Sequence, residues 1–176
     1  MLIMSLLAFL TPFTASDDAS LKQKRIIISV IALLSLLGIG WWLASPLFIN
    51  EVVNEPFPNN IAAASQPVSS GQFIDLSFIH RGEGNALVFQ DEAQQILRFE
   101  DFKVTNGPDL QVLLVEDINA VEKDTVGKYI NLGPLKGNVG DQNYLLPADI
   151  ELSNYSGVVI YCEPFNVVFS IAAFNS

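Results

Sequence analysis

Residues 155–170 read YSGVVIYCEPFNVVFS and decide the fold class of this 176-residue chain. Two runs rich in β-branched and aromatic residues flank a short turn with one proline, and this pattern predicts a β-hairpin. The only cysteine of the chain, Cys162, lies at the corner of the hairpin. In a strand its side chain shares one face with Val158 and Ile160, whereas Tyr161 points to the opposite face.

The residues before this hairpin predict further strands of the same kind. Short apolar runs alternate with turns rich in glycine and proline, and no long amphipathic helix interrupts them. The predicted strands cover residues 73–80, 86–90, 96–99, 102–105, 110–116, 129–132, 144–146, 155–162 and 167–173. Because evenly spaced short strands are typical of an antiparallel β-sandwich or barrel, we expect a small all-β domain over residues 71–176.

An apolar segment at residues 26–45 contains no charged residue and is long enough to form one transmembrane helix. The lipid bilayer is therefore the expected partner of this segment. All three basic residues of the first 45 positions lie between residues 22 and 25, and the next basic residue is Arg81. The positive-inside rule then places residues 1–25 in the cytoplasm and the C-terminal domain in the periplasm or outside the cell.

A cleaved signal peptide is the alternative interpretation of the same segment. Signal peptidases require small residues at positions −3 and −1 of the cleavage site. The possible sites place Trp42 or Leu43 at position −3. We therefore expect an uncleaved anchor and a single-pass membrane protein.

Residues 46–70 carry four prolines and a run of small residues, which predicts a semi-extended spacer between the helix and the domain. Charge is distributed unevenly, because the chain after residue 45 holds 6 Lys and Arg against 17 Asp and Glu. A domain this acidic is unsuited to binding nucleic acid.

Four motifs occur in order along the domain. They are GQF at 71–73 followed by His80 and Gly84, LRFEDF at 97–102 with NGPDLQVLL at 106–114, LGPLKGNVGDQNY at 132–144, and YSGVVIYC at 155–162. Their order and spacing resemble the DM13 family of small extracytoplasmic domains, which are named for electron transfer. The resemblance implies a β-rich fold and a redox role centred on Cys162. Bacterial relatives often have tryptophan where this chain has Tyr161.

The numbers of histidines and cysteines show which redox cofactors the chain could ligate. A blue-copper site needs two histidines, a c-type haem needs two cysteines, and iron–sulfur clusters take about four protein ligands; this chain has one histidine, His80, and one cysteine. The glycine-rich stretch at residues 81–85 lies between two predicted strands, which argues against NAD or FAD. Zinc would need carboxylates beside His80 and Cys162, and no spacing supports them, so the metal and cofactor remain unknown.

Three roles remain open for Cys162: a redox thiol acting through a partner, an axial ligand of non-covalent haem, or an inert core residue. Its apolar strand face favours burial, and the neighbouring Glu163 disfavours the thiolate. His80 is either a second ligand near Cys162 or a side chain hydrogen-bonded to nearby backbone. The further candidates for lining a site are Asp109, Lys136, Gln142 and Tyr161.

No catalytic residues stand out, because no Ser/His/Asp order, carboxylate pair or phosphate loop is visible in the sequence. We therefore expect an electron-transfer or redox accessory module that acts through Cys162 with an envelope redox or binding protein. The alternative is a β-sandwich at the cell envelope that binds a ligand or a protein and has a structural cysteine.

Overall fold

The computed structural model describes residues 15–45, 48–58, 61, 66–90 and 94–175. One helix, α1 (Ala15–Ala44), precedes the β domain. Its segment Ser20–Trp42 is long and apolar enough to cross a membrane, a property that N-terminal signal sequences share. The helix begins eleven residues before the predicted span. Residues 1–14 of the expected cytoplasmic segment lie outside the described residues.

The β domain is one antiparallel sheet of eight strands in the order β5-β4-β7-β8-β1-β2-β3-β6. The strands are β1 (Ser69–Asp75), β2 (Gly82–Gln90), β3 (Gln95–Val104), β4 (Leu110–Val115), β5 (Tyr129–Pro134), β6 (Gln142–Leu145), β7 (Gly157–Cys162) and β8 (Val167–Asn175). The two edge strands, β5 and β6, are consecutive in the chain, and the sheet curls into a nearly closed barrel. The predicted all-β class is therefore confirmed.

The predicted strands map onto the barrel with two differences. Strand β3 combines the two separate strands that were expected over residues 96–99 and 102–105. It stays continuous through Asp101, which lies between the two predicted strands and adopts a φ of 51°. The strand expected over residues 73–80 ends at Asp75, whose carboxylate accepts a hydrogen bond from the Gly82 N–H at 2.9 Å. This bond closes the turn at residues 76–81 and lets β2 begin at Gly82, inside the stretch expected as a turn.

Alternating side chains divide the strands between an inner core and two outer clusters. The inner core holds four phenylalanines, Tyr144 and Cys162 together with aliphatic residues of β2, β3, β4, β7 and β8. On the outside, Val159 and Val168 pack beneath Val126 of the β4–β5 connection. The second outer cluster lies on β2 and β3, where Phe89 and Ile96 pack against Phe57 and Ile61. The barrel is thus wrapped by two segments that cover its outer face.

One of these segments, Glu51–Phe57, is named here the N-terminal strap. It comes from the stretch expected as a spacer, but its backbone pairs with the β5–β6 connection: Val53 donates to the Val139 carbonyl at 2.9 Å, and Glu55 donates to the Asp141 carbonyl at 2.8 Å. Val52 forms a parallel bridge to Val139. The expectation that residues 46–70 stand apart from the domain is therefore wrong for the strap, because its few apolar and acidic residues find partners far along the chain.

Arg98 of β3 fastens the strap to the barrel. The side chain is 4% exposed and its guanidinium donates to Glu100 Oε1 at 2.7 Å and to Asp141 Oδ2 at 2.8 Å. It also donates to the Asn143 side chain at 2.9 Å and to the Glu55 carbonyl at 3.2 Å. A buried cation with this many acceptors is stable only while all of them are in place.

Candidate functional site

The candidate site lies at one end of the barrel, named here the Cys162 end. Strand pairing defines it, because Leu110 faces Cys162, Cys162 faces Val167, and Asp75 faces Ser170. The segments that meet at this end are residues 76–81, 105–109, 135–141 and 163–166. The opposite end holds the start of β1, the end of β2 and the start of β3.

Cys162 is the last residue of β7, and its side chain is fully buried in the inner core. Its Sγ donates a hydrogen bond to the carbonyl oxygen of Pro108, 3.1 Å away in the turn before β4. Val158 and Ile160 share the inner core with it, whereas Tyr161 packs against the outer cluster, as the alternation predicts. The thiol thus lies at the edge of the apolar core, where a hydrogen bond joins it to the β3–β4 connection.

The surroundings of Cys162 favour the neutral thiol. Burial raises the pKa of Cys162, and the negative charge of Asp109 raises it further, although the backbone N–H of Phe165 opposes them. The direction agrees with the sequence analysis, but the nearby acid is Asp109 and not the adjacent Glu163. At neutral pH the sulfur therefore carries its proton and is a weak nucleophile until it becomes exposed.

Asp109 and Tyr161 lie beside Cys162 but point away from the core. Asp109 adopts a φ of 48° and accepts a hydrogen bond from Gln111 Nε2 at 2.6 Å. The Tyr161 hydroxyl donates to Asn166 Oδ1 at 3.1 Å, across the β7–β8 turn. Burial and neighbouring acidic groups raise the pKa of Tyr161. These residues brace the two turns around the thiol.

His80 is not joined to Cys162 by any contact among the described residues. Its ring packs on Phe169, with the ring centroids 4.5 Å apart. The far edge of the Phe169 ring meets Gly107, where an added Cβ would lie 2.7 Å from Phe169 Cζ. Phe169 therefore lies between the histidine and the turn that carries Pro108. Burial and the nearby Lys123 lower the pKa of His80, so the ring is neutral at pH 7.

Lys136 and Gln142 serve the strap and its loop. Lys136 Nζ donates to Glu55 Oε1 at 2.8 Å and to the Asn143 carbonyl at 2.7 Å. Gln142 is fully buried, and its amide donates to the Gly137 carbonyl at 2.7 Å while its oxygen accepts from the Tyr144 hydroxyl at 2.7 Å. Gln142 is thus closed to a ligand, whereas the Lys136 side chain is 40% exposed but is held by the strap.

Cavities near the Cys162 end differ in size and lining. A cleft of about 230 Å³ lies against Pro108 and Asp109, below the ~300–1,000 Å³ typical of small-molecule sites. Cys162 lines neither this cleft nor the two other cavities at this end. The described residues also contain no group of three or more His, Cys, Asp or Glu side chains that could hold a metal. The residues around Cys162 thus do not fit a resident haem or metal in this conformation.

A groove of about 640 Å³ lies beside His80, where it is lined by residues of the outer cluster around Val168 and not by Phe169. Its apolar wall comes from the turn at residues 76–80 and from β8, and Lys123 closes one side. The residues that line it are Leu76, Ser77, Phe78, Ile79, His80, Val121, Glu122, Lys123, Val168 and Ile171. The sequence analysis missed this groove because it joins two turns more than forty residues apart.

Two further residues of the site were missed for the same reason. The Pro108 carbonyl that accepts the thiol hydrogen bond is 54 positions from Cys162. The Phe169 ring, which separates His80 from that turn, was counted only as strand core. The motif at residues 106–109 signals a turn, but a single sequence does not show which strand end that turn covers.

A family model described as Electron transfer DM13 matches residues 72–174. The match includes Cys162, His80 and the turn at residues 106–109, and it leaves out α1 and the strap. No curated protein and no solved structure matches the chain.

Proposed function

Because the chain belongs to the DM13 family, we propose that its β domain is an electron-transfer module in which the sulfur of Cys162 is the reacting group. The observation that carries this proposal is the position of the thiol. Cys162 is the only cysteine and the last residue of its strand, and the four residues that follow it are exposed. A reacting sulfur at a strand end needs only local movement to reach a partner.

Few bonds hold the β7–β8 turn closed. The Glu163 N–H donates to the Asp109 carbonyl at 3.4 Å, and the Asn166 N–H donates to the Glu163 carbonyl at 3.3 Å, both longer than the usual 2.9–3.0 Å. Opening this turn removes Cys162 from Pro108 without breaking the inner part of the sheet. Local openings of this kind cost much less than global unfolding.

The reaction proposed is thiol–disulfide exchange with a partner disulfide. The opened Cys162 thiol gives its proton to water, and the thiolate attacks one sulfur of the partner. A new S–S bond joins Cys162 to that sulfur, the partner's S–S bond breaks, and the other partner sulfur leaves as a thiolate that takes up a proton. The partner disulfide supplies the oxidising equivalents, so the electron count balances.

Exchange with oxidised glutathione tests this function. The full chain in detergent should form one glutathione adduct, detected as a shift of the intact mass, because the only thiol becomes reachable by local opening. Cys162→Ser should form none. Since the pKa of Cys162 is raised, the exchange rate should still be rising at pH ~9.5, where a thiol of ordinary pKa ~8.5 is almost fully ionised and its rate has levelled off.

The absence of an adduct on the folded wild-type chain would remove the redox proposal. A rate that has levelled off by pH ~9.5 would show that the thiol is not buried as described. Tyr161→Phe should still form the adduct, because it removes one hydrogen bond that braces the β7–β8 turn but leaves the sulfur in place.

A second candidate function rests on the groove beside His80. Its volume of about 640 Å³ falls within the ~300–1,000 Å³ range of small-molecule sites, and its walls are mainly apolar. In this case the domain binds an apolar ligand or peptide and Cys162 is structural. Val168→Trp would fill the groove and abolish binding of an apolar fluorescent probe, whereas Cys162→Ser would not.

The module is proposed to be held at a membrane by α1, with the β domain on the non-cytoplasmic side. The support is the apolar helix and the basic residues before it, which favour a cytoplasmic N-terminus. The redox partner is proposed to be another envelope protein. The acidic domain argues against nucleic acid as a partner.

A further inference from the structure

Exposed apolar side chains of the β domain are concentrated at the Cys162 end. The turn at residues 76–81 presents Phe78, which is 84% exposed, and Ile79, which is 64% exposed. The others at this end are Phe48, Ile49, Val52, Leu76 and Phe165. Among the described residues, the opposite end has Val68, Tyr129 and Leu145. A cluster of this kind marks an interaction surface.

The chain enters the β domain at this same end. The strap begins beside the β5–β6 connection, where Glu51 accepts a hydrogen bond from the Val139 N–H at 3.2 Å. Just before the strap, Phe48 and Asn50 line a cavity together with Arg81 of the apolar turn. The start of the strap is thus close to the exposed apolar side chains.

The connection from α1 to the strap is short. Six residues, 45–50, separate Ala44, the last residue of α1, from Glu51, so seven Cα–Cα steps join the two. Fully extended, they span at most about 25 Å at ~3.6 Å per residue. A helix that crosses a membrane would therefore hold this end of the barrel within about 25 Å of the membrane surface.

We propose that the Cys162 end of the barrel rests on the surface of the bilayer that holds α1, with Phe78 and Ile79 in the interfacial layer. The inference depends on the proposed membrane anchor and not on the redox chemistry. Phe78 suits the interface because Phe, like Trp and Leu, forms the apolar face of segments that lie in it. The Arg81 guanidinium lies 5.2 Å above the Phe78 ring, where it can reach lipid phosphates.

The contact is apolar and depends on the tether. The acidic domain is repelled by anionic lipid, so a neutral phosphatidylcholine surface is the occupant that the charges favour. Two apolar side chains alone bind a bilayer weakly. The short connection raises their effective concentration at the surface, and a weak contact is then populated.

Lipid quenching of a site-specific fluorophore tests this inference in the full chain. In a Cys162→Ser background, Ile79→Cys and Leu145→Cys are labelled with the same polarity-sensitive dye. These two positions are matched, because both side chains are 64% exposed and they lie at opposite ends of the barrel. The chains are placed in phosphatidylcholine nanodiscs that contain a nitroxide-labelled lipid.

We expect loss of fluorescence at position 79 and unchanged fluorescence at position 145. Adding Phe78→Ser should restore much of the fluorescence at position 79, and added salt should not, because the contact is apolar. No quenching at position 79, or equal quenching at both positions, would overturn the proposal.

The intact mass of the chain in the discs separates this inference from its premise. If the intact mass shows that α1 has been removed and the chain is no longer in the discs, both the membrane anchor and the membrane contact are contradicted. The glutathione reaction of Cys162 would still stand or fall by itself, since the quenching experiment uses a chain without that thiol.

Discussion

Replacing Arg98 with methionine should lower the free energy of unfolding of the β domain by about 3–5 kcal/mol. The arginine is 4% exposed and bonds two carboxylates, those of Glu100 and Asp141. Methionine fills the space but leaves Asp141 and the strap carbonyls without their donor. The two carboxylates, each 34% exposed, lose their charged donor, and the strap carbonyls lose their hydrogen bonds, so both losses act in the same direction.

Urea unfolding followed by pulse proteolysis of the full chain in detergent measures this effect. Lys103→Met is the matched control, because Lys103 lies on the same strand and pairs with Glu83 at 3.3 Å in an exposed position. An exposed pair contributes about 0–1 kcal/mol, so the control should change little. Equal effects of the two substitutions would mean that Arg98 does not fasten the strap.

Phe99→Ala should destabilise the domain by a similar amount, about 3–5 kcal/mol. The ring is fully buried and lies at the centre of an aromatic cluster, with centroids 4.9 Å from Phe73, 4.8 Å from Phe102 and 5.2 Å from Tyr144. Removing it loses the burial of the largest core side chain and leaves a cavity that rigid neighbouring rings cannot fill.

Phe165→Ala is the control for this substitution, since Phe165 is exposed in the β7–β8 turn and truncation there should stay within about 0.5 kcal/mol. Near-UV circular dichroism would report the loss of aromatic packing in Phe99→Ala alongside the unfolding midpoint. A loss below about 1 kcal/mol would show that the core has repacked and that the aromatic cluster does not organise the barrel.

Local patterns predicted most of the barrel. The C-terminal hairpin forms as expected, because β-branched and aromatic runs around a tight turn leave few other structures open. The inward face of Cys162 and the outward face of Tyr161 follow from strand alternation alone. The end of β1 at Asp75 was not predicted, because it depends on the hydrogen bond from the Gly82 N–H to the Asp75 carboxylate. The apolar residues that follow Asp75 instead predict that the strand continues.

The strap shows why composition misleads where contacts are distant. Glu55 looks like a spacer residue, yet its carboxylate accepts from the Asn143 N–H at 2.6 Å across 88 positions. Burial raises the pKa of Glu55, but the bonds from Lys136 and Asn143 outweigh it, and the pKa is lowered overall. No local pattern announces a partner so far along the chain.

The candidate site was only partly predictable. Cys162 stood out because it is unique, and Asp109 does lie near it. Lys136 and Gln142 were expected at the rim of a site but bind the strap and its loop. The Pro108 carbonyl that holds the thiol is a backbone atom, and sequence patterns do not show which backbone atoms meet a side chain.

The most direct test of the account is whether Cys162 reacts from the folded state. The full chain is mixed with an aromatic disulfide that releases a coloured thiolate, and the free energy of opening is obtained from the reaction rate at several low urea concentrations. We predict one equivalent of thiolate per chain and an opening that costs much less than global unfolding, with a much weaker dependence on urea. If the opening free energy and its urea dependence equal those of global unfolding, Cys162 is a structural core residue and the electron-transfer proposal fails.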